Sequence, residues 1–396
     1  MKNNGEIEVR IVIVGTERLP IPPVAGGAIQ KWIQSISRPL SDLGNEIIIM
    51  SPSGPLPSSK SIRRRRSRIE YLYLNADEKL KETEGFGYYQ AVAKELEDMG
   101  DVDLIHVHNR PSALPILNHR KLLLTLHNTH EGWKFTPSPK RLTPRRQEMY
   151  RLGLRKADAI VVNSNFLKNF VTSLYRIPPS KISVIINGVD TNLYRPRNKK
   201  EIRGVMGLPL GPLILFVGRI IKKKGVHFLI DAFLNVKEEF SEAKLLIVGP
   251  PGQFGIHRPS SYATKILQFA KREDDIIVMG PIYSDKIAQI YSCADLFVLY
   301  SDCSEAFGMA PLEAMSSGLP VIAARVGGLP ELVDHSLTGL LVPPHNTALL
   351  TKAIISLIED KSYRRRLGEA GRRRAIRFYE WSSVARSYNR IYQDLA

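Results

Sequence analysis

The stretch Ser301-Asp-Cys-Ser-Glu305-Ala-Phe-Gly308-Met-Ala-Pro-Leu-Glu313-Ala-Met-Ser-Ser-Gly318-Leu-Pro320-Val321 decides the fold. A buried strand ends near Tyr300 and a loop carries Glu305. A helix is predicted from around Gly308, with Glu313 in its second turn and Gly318 as its stop. A new apolar run then begins at Val321. Strand, loop, helix and strand in that order make one βαβ unit, and chains built of such units form parallel sheets covered by helices.

Outward from that stretch, short apolar β-branched segments alternate with longer amphipathic ones along the whole chain. In the first half Val9 to Val14, Ile47 to Ser51, Leu104 to His108, Leu122 to Leu126, Ala159 to Asn163 and Ile182 to Ile186 read as strands. The pattern restarts with Leu213 to Val217, Lys244 to Val248, Ile276 to Met279, Leu296 to Leu299, Val321 to Ala323 and Gly339 to Val342, separated by helical stretches such as Val226 to Phe240 and Ser284 to Ala294. Between the two series, Tyr194 to Pro212 is rich in Pro, Gly and charge and lacks an apolar face, which reads as a linker. The expected organisation is a lobe over 1–195, a linker over 196–212, a second lobe over 213–376 and an amphipathic, aromatic C-terminal helix over 377–396. The fold class is α/β, with two Rossmann-like doubly wound lobes. Open parallel sheets bind ligands at the carboxyl ends of their strands, so the expected site is a cleft between facing lobes.

Composition narrows the function. With 396 residues and 43% apolar content the chain can bury a substantial core. Cys293 and Cys303 are its two cysteines, which supports neither a disulfide framework nor a zinc site. The N-terminal apolar run, Ile11 to Val14, is too short for a signal-peptide core, and no stretch approaches the roughly 20 apolar residues of a spanning helix; a cytoplasmic location is expected. Fifty-six Lys and Arg against 39 Asp and Glu give a formal charge of +17, concentrated at Arg63 to Arg66, Lys222 to Lys224, Arg364 to Arg366 and Arg372 to Arg374. Such runs attract polyanions or are solvated helix faces. No aromatic–basic platform for nucleic acid is present. Neither G-x-G-x-x-G nor G-x-x-x-x-G-K-[ST] occurs, which argues against dinucleotide redox chemistry and P-loop hydrolysis.

The free N–H groups of Phe307, Gly308, Met309 and Ala310 at the helix start, with the positive end of its dipole, form a site for a phosphate. Glu305 and Glu313 flank that position and can accept hydroxyl hydrogen bonds from sugar rings. The competing reading is that Glu305 is an ordinary acid at a helix N-terminus and Glu313 is solvated. Asp101-Val-Asp103 has metal-binding spacing but precedes a strand, at the wrong end of a sheet for a site. His106 and His108 flank Val107 and are read as pointing to opposite faces, with His108 the candidate on the acceptor side. His130 and His227 are read as structural or surface residues.

Taken together, Val217-Gly218-Arg219 with Lys224-Gly225, Asn187-Gly188-Val189-Asp190, the E-x7-E pair Glu305 and Glu313, Gly318-Leu-Pro320-Val321, Gly327-Gly328-Leu329-Pro330-Glu331 and Thr338 to Pro343 resemble the retaining GT-B glycosyltransferases of family 4, related to sucrose and glycogen synthases. The opening from Thr16 to Gln30 resembles members associated with bacterial spore coats. The resemblance implies a hexosyltransferase using a nucleotide diphosphate sugar, with UDP favoured and GDP possible, and a lipid-linked, glycan or small-molecule acceptor. Arg219 and Lys224 would pair with the diphosphate, Glu313 would hold the ribose, and Glu305 and His127 would lie beside the transferred sugar. Backbone groups near Pro281 and Ile282 would meet the base. No metal or other cofactor is implied, since fixed cations and helix amides must stabilise the departing diphosphate.

Gly26-Gly27 precedes a helix beginning near Ala28 and would let a backbone approach the donor, with a flexible turn as the alternative. This motif lacks the lysine of the K-T-G-G opening in glycogen-synthase-like enzymes, which argues against an ADP-glucose polymerase. Family members often carry Gly where Ala306 stands, so the loop requires a negative φ there. The resemblance further implies a last helix that crosses back to the first lobe, and association with a spore coat; separately, the basic run Arg63 to Arg68 is the candidate patch for an anionic inner-membrane surface. Two other functions stay open on sequence alone: a nucleotide-sugar epimerase, and a non-catalytic scaffold that keeps the fold.

Overall fold

The computed structural model describes all residues except 1–7, 24–25, 54–61, 67, 75–85, 120, 129–143, 253–258, 283–285 and 304. His130 therefore lies outside the described residues. The chain divides into two units, Met1–Gly188 joined by Trp381–Ala396, and Val189–Glu380.

The first unit is built on β1 (Arg10–Val14), β2 (Glu46–Pro52), β3 (Ile62–Arg66), β4 (Ile69–Leu74), β5 (Leu104–His108), β6 (Leu122–Leu126), β7 (Ala159–Val162) and β8 (Ile182–Val184). They lie in the order β3-β4-β2-β1-β5-β6-β7-β8, and β3 runs antiparallel to β4 at the edge while the other pairs are parallel. Residues such as Ile11, Val12, Ile13 and Val14 are buried on both sheet faces, which is why these strands read as unbroken apolar runs rather than alternating ones. β3 and β4 escaped the sequence reading, β3 because a run of four arginines does not look like a strand; the side chains of β3 lie outside the described residues.

Helix Ala28–Asp42 covers one face of this sheet with a stripe of Trp32, Ile33, Ile36 and Leu40. The last helix, Trp381–Leu395, packs in the same cluster through Trp381, Val384, Ala385, Tyr388 and Tyr392, spaced to lie on one helical face. Burying each aliphatic side chain of this kind contributes about 1.5–3 kcal/mol. Asn45 fixes the register of the two helices, its Nδ2 donating to the Leu40 carbonyl at 2.9 Å and to Asn389 Oδ1 at 2.8 Å.

The second unit holds β9 (Leu213–Val217), β10 (Lys244–Val248), β11 (Ile276–Gly280), β12 (Leu296–Leu299), β13 (Val321–Ala324) and β14 (Gly339–Val342). All pairs are parallel, in the order β11-β10-β9-β12-β13-β14. The chain builds outward from β9 to β11, then returns to the other side of β9 to lay down β12. This strand order is the one that binds nucleotides at its reversal, beyond the carboxyl ends of β9 and β12.

Residues 196–212, read from composition as a linker, contain the helix Lys199–Met206, which belongs to the second unit. Asn198 caps its start and Gly207, at φ 63°, ends it. Arg203 from this helix is buried; it pairs with Asp295 at 2.7 Å and donates to the carbonyls of Cys293, Pro209, Leu210 and Gly211. One guanidinium thereby satisfies carbonyls that turn chemistry left unpaired.

At the carboxyl ends of β9, β10 and β11 the chain bends at Gly218, Gly249 and Gly280, and these loops are joined by backbone hydrogen bonds. Gly218 N donates to Val248 O at 2.9 Å and Gly249 N to Gly280 O at 2.7 Å. A Cβ on Gly249, whose φ is 146°, would fall 1.9 Å from the Gly218 carbonyl oxygen. Gly249→Ala should therefore destabilise the protein by about 1–3 kcal/mol or more through overpacking, read as a lowered melting temperature.

Candidate functional site

The ends of β9 and β12 are stitched together. After Ile221 the chain makes a tight turn over Lys222–Lys224 and reaches Gly225 at φ 65°. A Cβ there would stand 1.8 Å from the Tyr300 carbonyl oxygen, so only glycine lets this turn lie against the end of β12. Asp302 N donates to Lys223 O at 3.0 Å and closes the contact.

That closure places Lys224 Nζ 2.6 Å from Glu305 Oε1, with side chains 18% and 12% exposed. Ser301 Oγ donates to the same oxygen at 3.2 Å. Burial pushes the Glu305 carboxyl up, but Lys224 and Lys223 with these hydrogen bonds outweigh it and hold the group below its ordinary value. Burial likewise draws the Arg219 guanidinium down, while the charge of Glu305 opposes that shift, so the three groups share one electrostatic neighbourhood. Gly328 N donates to Glu305 O at 2.7 Å and pins the loop from behind. Ala306 is not among the described non-glycine residues with positive φ, so the methyl group it adds meets the backbone requirement stated above.

Gly308, at φ 106°, caps helix Met309–Ser316, whose first amides, including Met309 and Ala310, have no partner within the helix. Phe307 is buried and its ring lies 6.1 Å from that of Tyr379. Glu313 is held by Tyr291, whose hydroxyl donates to Oε2 at 2.7 Å. No sequence signal marked Tyr291; its partner sits 22 residues away on another helix. Pro281 and Ile282 follow Gly280 at the end of β11, in the loop bonded to Gly249. Arg219, Lys224, Glu305 and the start of helix Met309–Ser316 thus lie along the carboxyl ends of β9 and β12.

In the first unit, Gly26 and Gly27 have φ of 66° and 90°, and Gly27 is the N-cap of helix Ala28–Asp42. Gln30 braces the turn, donating from Nε2 to Thr16 Oγ1 at 2.7 Å. Beside it, Arg110 meets Glu17 in a two-pronged ion pair at 2.6 and 2.9 Å, and Tyr89 OH adds a third bond to Glu17 at 3.1 Å. The sequence reading missed this pair, which joins loops 93 residues apart.

The histidines require a correction. His106 and His108 share a face, with ring centroids 4.1 Å apart, because residues two apart in a strand point the same way. His108, expected on the acceptor side, is fully buried and bonds through Nδ1 to His127 Nε2 at 2.9 Å. His127 sits just past β6 and is partly exposed. His227 is half-buried and bonds to Tyr262 OH at 2.9 Å.

Several arginines of the basic runs also serve the fold. Arg364 donates to the carbonyls of Leu357 and Ile358, and Arg372 to those of Tyr194 and Ser316. Arg374 pairs with Asp334, and Arg68 with Glu8. Asp103 accepts from Arg10 N at 2.7 Å, so the D-x-D sequence ties the start of β5 to that of β1. Among the described residues, no group of three or more His, Cys, Asp or Glu is arranged to hold a metal ion, and no helix is long and apolar enough to cross a membrane.

Residues 198–374 match the family Glycosyl transferases group 1, and residues 26–193 match Glycosyltransferase Family 4. The chain is 27% identical to spore coat protein SA of Bacillus subtilis, over 97% of this chain and 99% of that protein. It is 30% identical to the D-inositol 3-phosphate glycosyltransferase of Corynebacterium aurimucosum, over 74% of this chain and 72% of that one. In structure it is similar to the sucrose-phosphate synthase of Thermosynechococcus elongatus, with a TM-score of 0.82, 22% identity and 98% and 99% of the two chains covered. Anabaena HepE in complex with UDP-glucose gives a TM-score of 0.75 at 21% identity, with 97% and 99% covered.

The Lys224–Glu305 pair generates a test. Lys224→Met strands a buried carboxylate and should cost about 3–5 kcal/mol, whereas Lys224→Met with Glu305→Gln should recover much of the loss, as read by thermal unfolding in a double-mutant cycle. Because the carboxyl is held below its ordinary value, the pair's contribution is present above the unfolded value and lost as pH falls through the folded one.

Proposed function

Since the chain belongs to the group 1 glycosyl transferases, we propose that it transfers a hexosyl group from a nucleotide diphosphate sugar, a UDP-sugar by preference, with retention of anomeric configuration. The observation that carries this reading is the contact of Lys224 with Glu305, at the strand ends where β9 and β12 diverge, beside Arg219 and a helix N-terminus.

The chemistry follows from charge. As the bond from the sugar to the diphosphate breaks, negative charge builds on the leaving oxygen. Arg219, Lys224 and the amides from Phe307 to Ala310 are fixed donors for it and need no reorganisation during the step. In this reading the cations belong to the chain and no metal ion takes part. The positive charge growing at the anomeric carbon is offset by Glu305, kept ionised by its lysines. Glu313, oriented by Tyr291, accepts from the ribose hydroxyls. Attack of the acceptor from the face the diphosphate leaves gives retention. The UDP preference draws on Anabaena HepE, solved with UDP-glucose, and on the lack of a lysine before Gly26-Gly27.

A thermal-shift series with UDP-, GDP- and ADP-glucose tests donor choice. UDP-glucose should raise the melting temperature most, in line with the roughly 2.7 kcal/mol that a ligand at 100 times its Kd contributes. No shift with any of the three would overturn the reading. With an acceptor supplied, Arg219→Ala and Glu305→Gln should each lower turnover at least tenfold, about 1.4 kcal/mol in the barrier; unchanged rates would remove both residues from the mechanism.

A further inference from the structure

The bond between His108 Nδ1 and His127 Nε2, 2.9 Å long between rings only 17° from parallel, needs one hydrogen, and either ring can supply it. The answer lies at the far side of His108. Its Nε2 is buried without a hydrogen-bond partner, and so is Trp32 Nε1. The two rings that carry these atoms are in contact, with centroids 4.9 Å apart. Buried polar groups are seldom left orphaned, and two neighbouring orphans are best read as a pair.

An indole nitrogen can only donate, whereas an imidazole nitrogen donates or accepts according to its tautomer. If His108 carried its hydrogen on Nε2, two rings in contact would each bury an N–H donor with nothing to receive it. If Nε2 is bare, it is free to accept a hydrogen bond from the indole N–H through one bound water. His108 then carries its hydrogen on Nδ1 and donates to His127 Nε2. His127, its Nε2 now an acceptor, must carry its own hydrogen on Nδ1.

We propose that His108 is a positioning residue which, anchored by the obligate donor Trp32, fixes His127 as the Nδ1–H tautomer and makes it a neutral hydrogen-bond donor to an oxygen of the transferred sugar. The role toward the sugar rests on the transferase reading; the tautomer does not.

The surroundings are consistent with one fixed arrangement. Asn109 Oδ1 accepts from His127 N at 3.1 Å and Asn163 Nδ2 donates to His127 O at 3.0 Å, so the backbone under the ring is pinned on both sides. His106 stands apart from the relay, with Nδ1 bonded to Tyr392 OH at 2.9 Å and Nε2 to Thr125 Oγ1 at 2.7 Å. Burial holds all three histidines far below their ordinary range, His127 down to about 3, so the relay is uncharged near neutral pH. A neutral donor polarises an oxygen without competing for a proton.

The test uses the full chain labelled with nitrogen-15 at histidine. Two-bond proton–nitrogen correlation spectra show which ring nitrogen of each histidine is protonated, and loss of a signal set in His127→Gln and in His108→Phe assigns the two residues. Expected in the native protein is protonation at Nδ1 of both His108 and His127, favoured at least tenfold over the other tautomer. His108→Phe and Trp32→Phe should each bring the His127 ratio to within about threefold of unity. A hydrogen on Nε2 of His127 in the native protein overturns the proposal, as does a His127 ratio unchanged in His108→Phe. Should Trp32→Phe fail to fold, the native spectrum and His108→Phe still decide it. None of these readouts needs a substrate, so their failure leaves the transferase reading standing, and a missing donor shift leaves the tautomer standing.

Discussion

Backbone lying directly on backbone, where β9 and β12 end, is the constraint from which the candidate site follows. A side chain at Gly225 would occupy the place of the Tyr300 carbonyl oxygen. With that space kept empty, the lysine turn lies against the loop after β12, and an ammonium meets a carboxylate 81 positions along the chain. The pair is not explained by stability, because taking both charges out of water costs about as much as their attraction returns. It is better explained by what it keeps ready: one fixed anion and several fixed cations at the reversal of strand order.

The first unit uses a different device. Helix Ala28–Asp42 and the last helix press an aromatic layer of Trp32, Trp381, Tyr388 and Tyr392 onto strands that carry His106 and His108. Polar groups there survive burial because they bond to one another, as His106 does with Tyr392 and Thr125. The same layer therefore serves packing and orients the groups that reach the strand ends.

The parallel strands of both units were legible because burial on two faces makes the sequence uniformly apolar, as in β6, Leu-Leu-Leu-Thr-Leu. The helix start at Gly308 and the positions of Glu305 and Glu313 were legible for a local reason: strand, loop and cap follow each other within twenty residues. Long-range partners were not. Nothing in the vicinity of Arg110 points to Glu17, and nothing near Glu313 points to Tyr291. The helix Lys199–Met206 was hidden by its polar composition, although Asn198 and Gly207 bracket it with capping residues. Clusters of arginine left their structural role unread. Counted as charge they read as solvated faces or a polyanion surface, and Arg364 and Arg372 in addition spend donors on carbonyls of their own unit. The faces of His106 and His108 follow from strand periodicity alone and were misassigned in the sequence reading.

The last helix belongs to the first unit while the whole of the second lies between them in the chain. On a ribosome this inverts the order of completion. Residues 1–188 emerge first but must wait, with the Trp32 face uncovered, through the synthesis of roughly 190 more residues, about 10–40 s at ordinary elongation rates. The contiguous second unit can finish before the first receives its closing helix. During that interval the nascent N-terminal half presents an apolar stripe to solvent, which makes it the part of this chain that translation speed and chaperone access would govern.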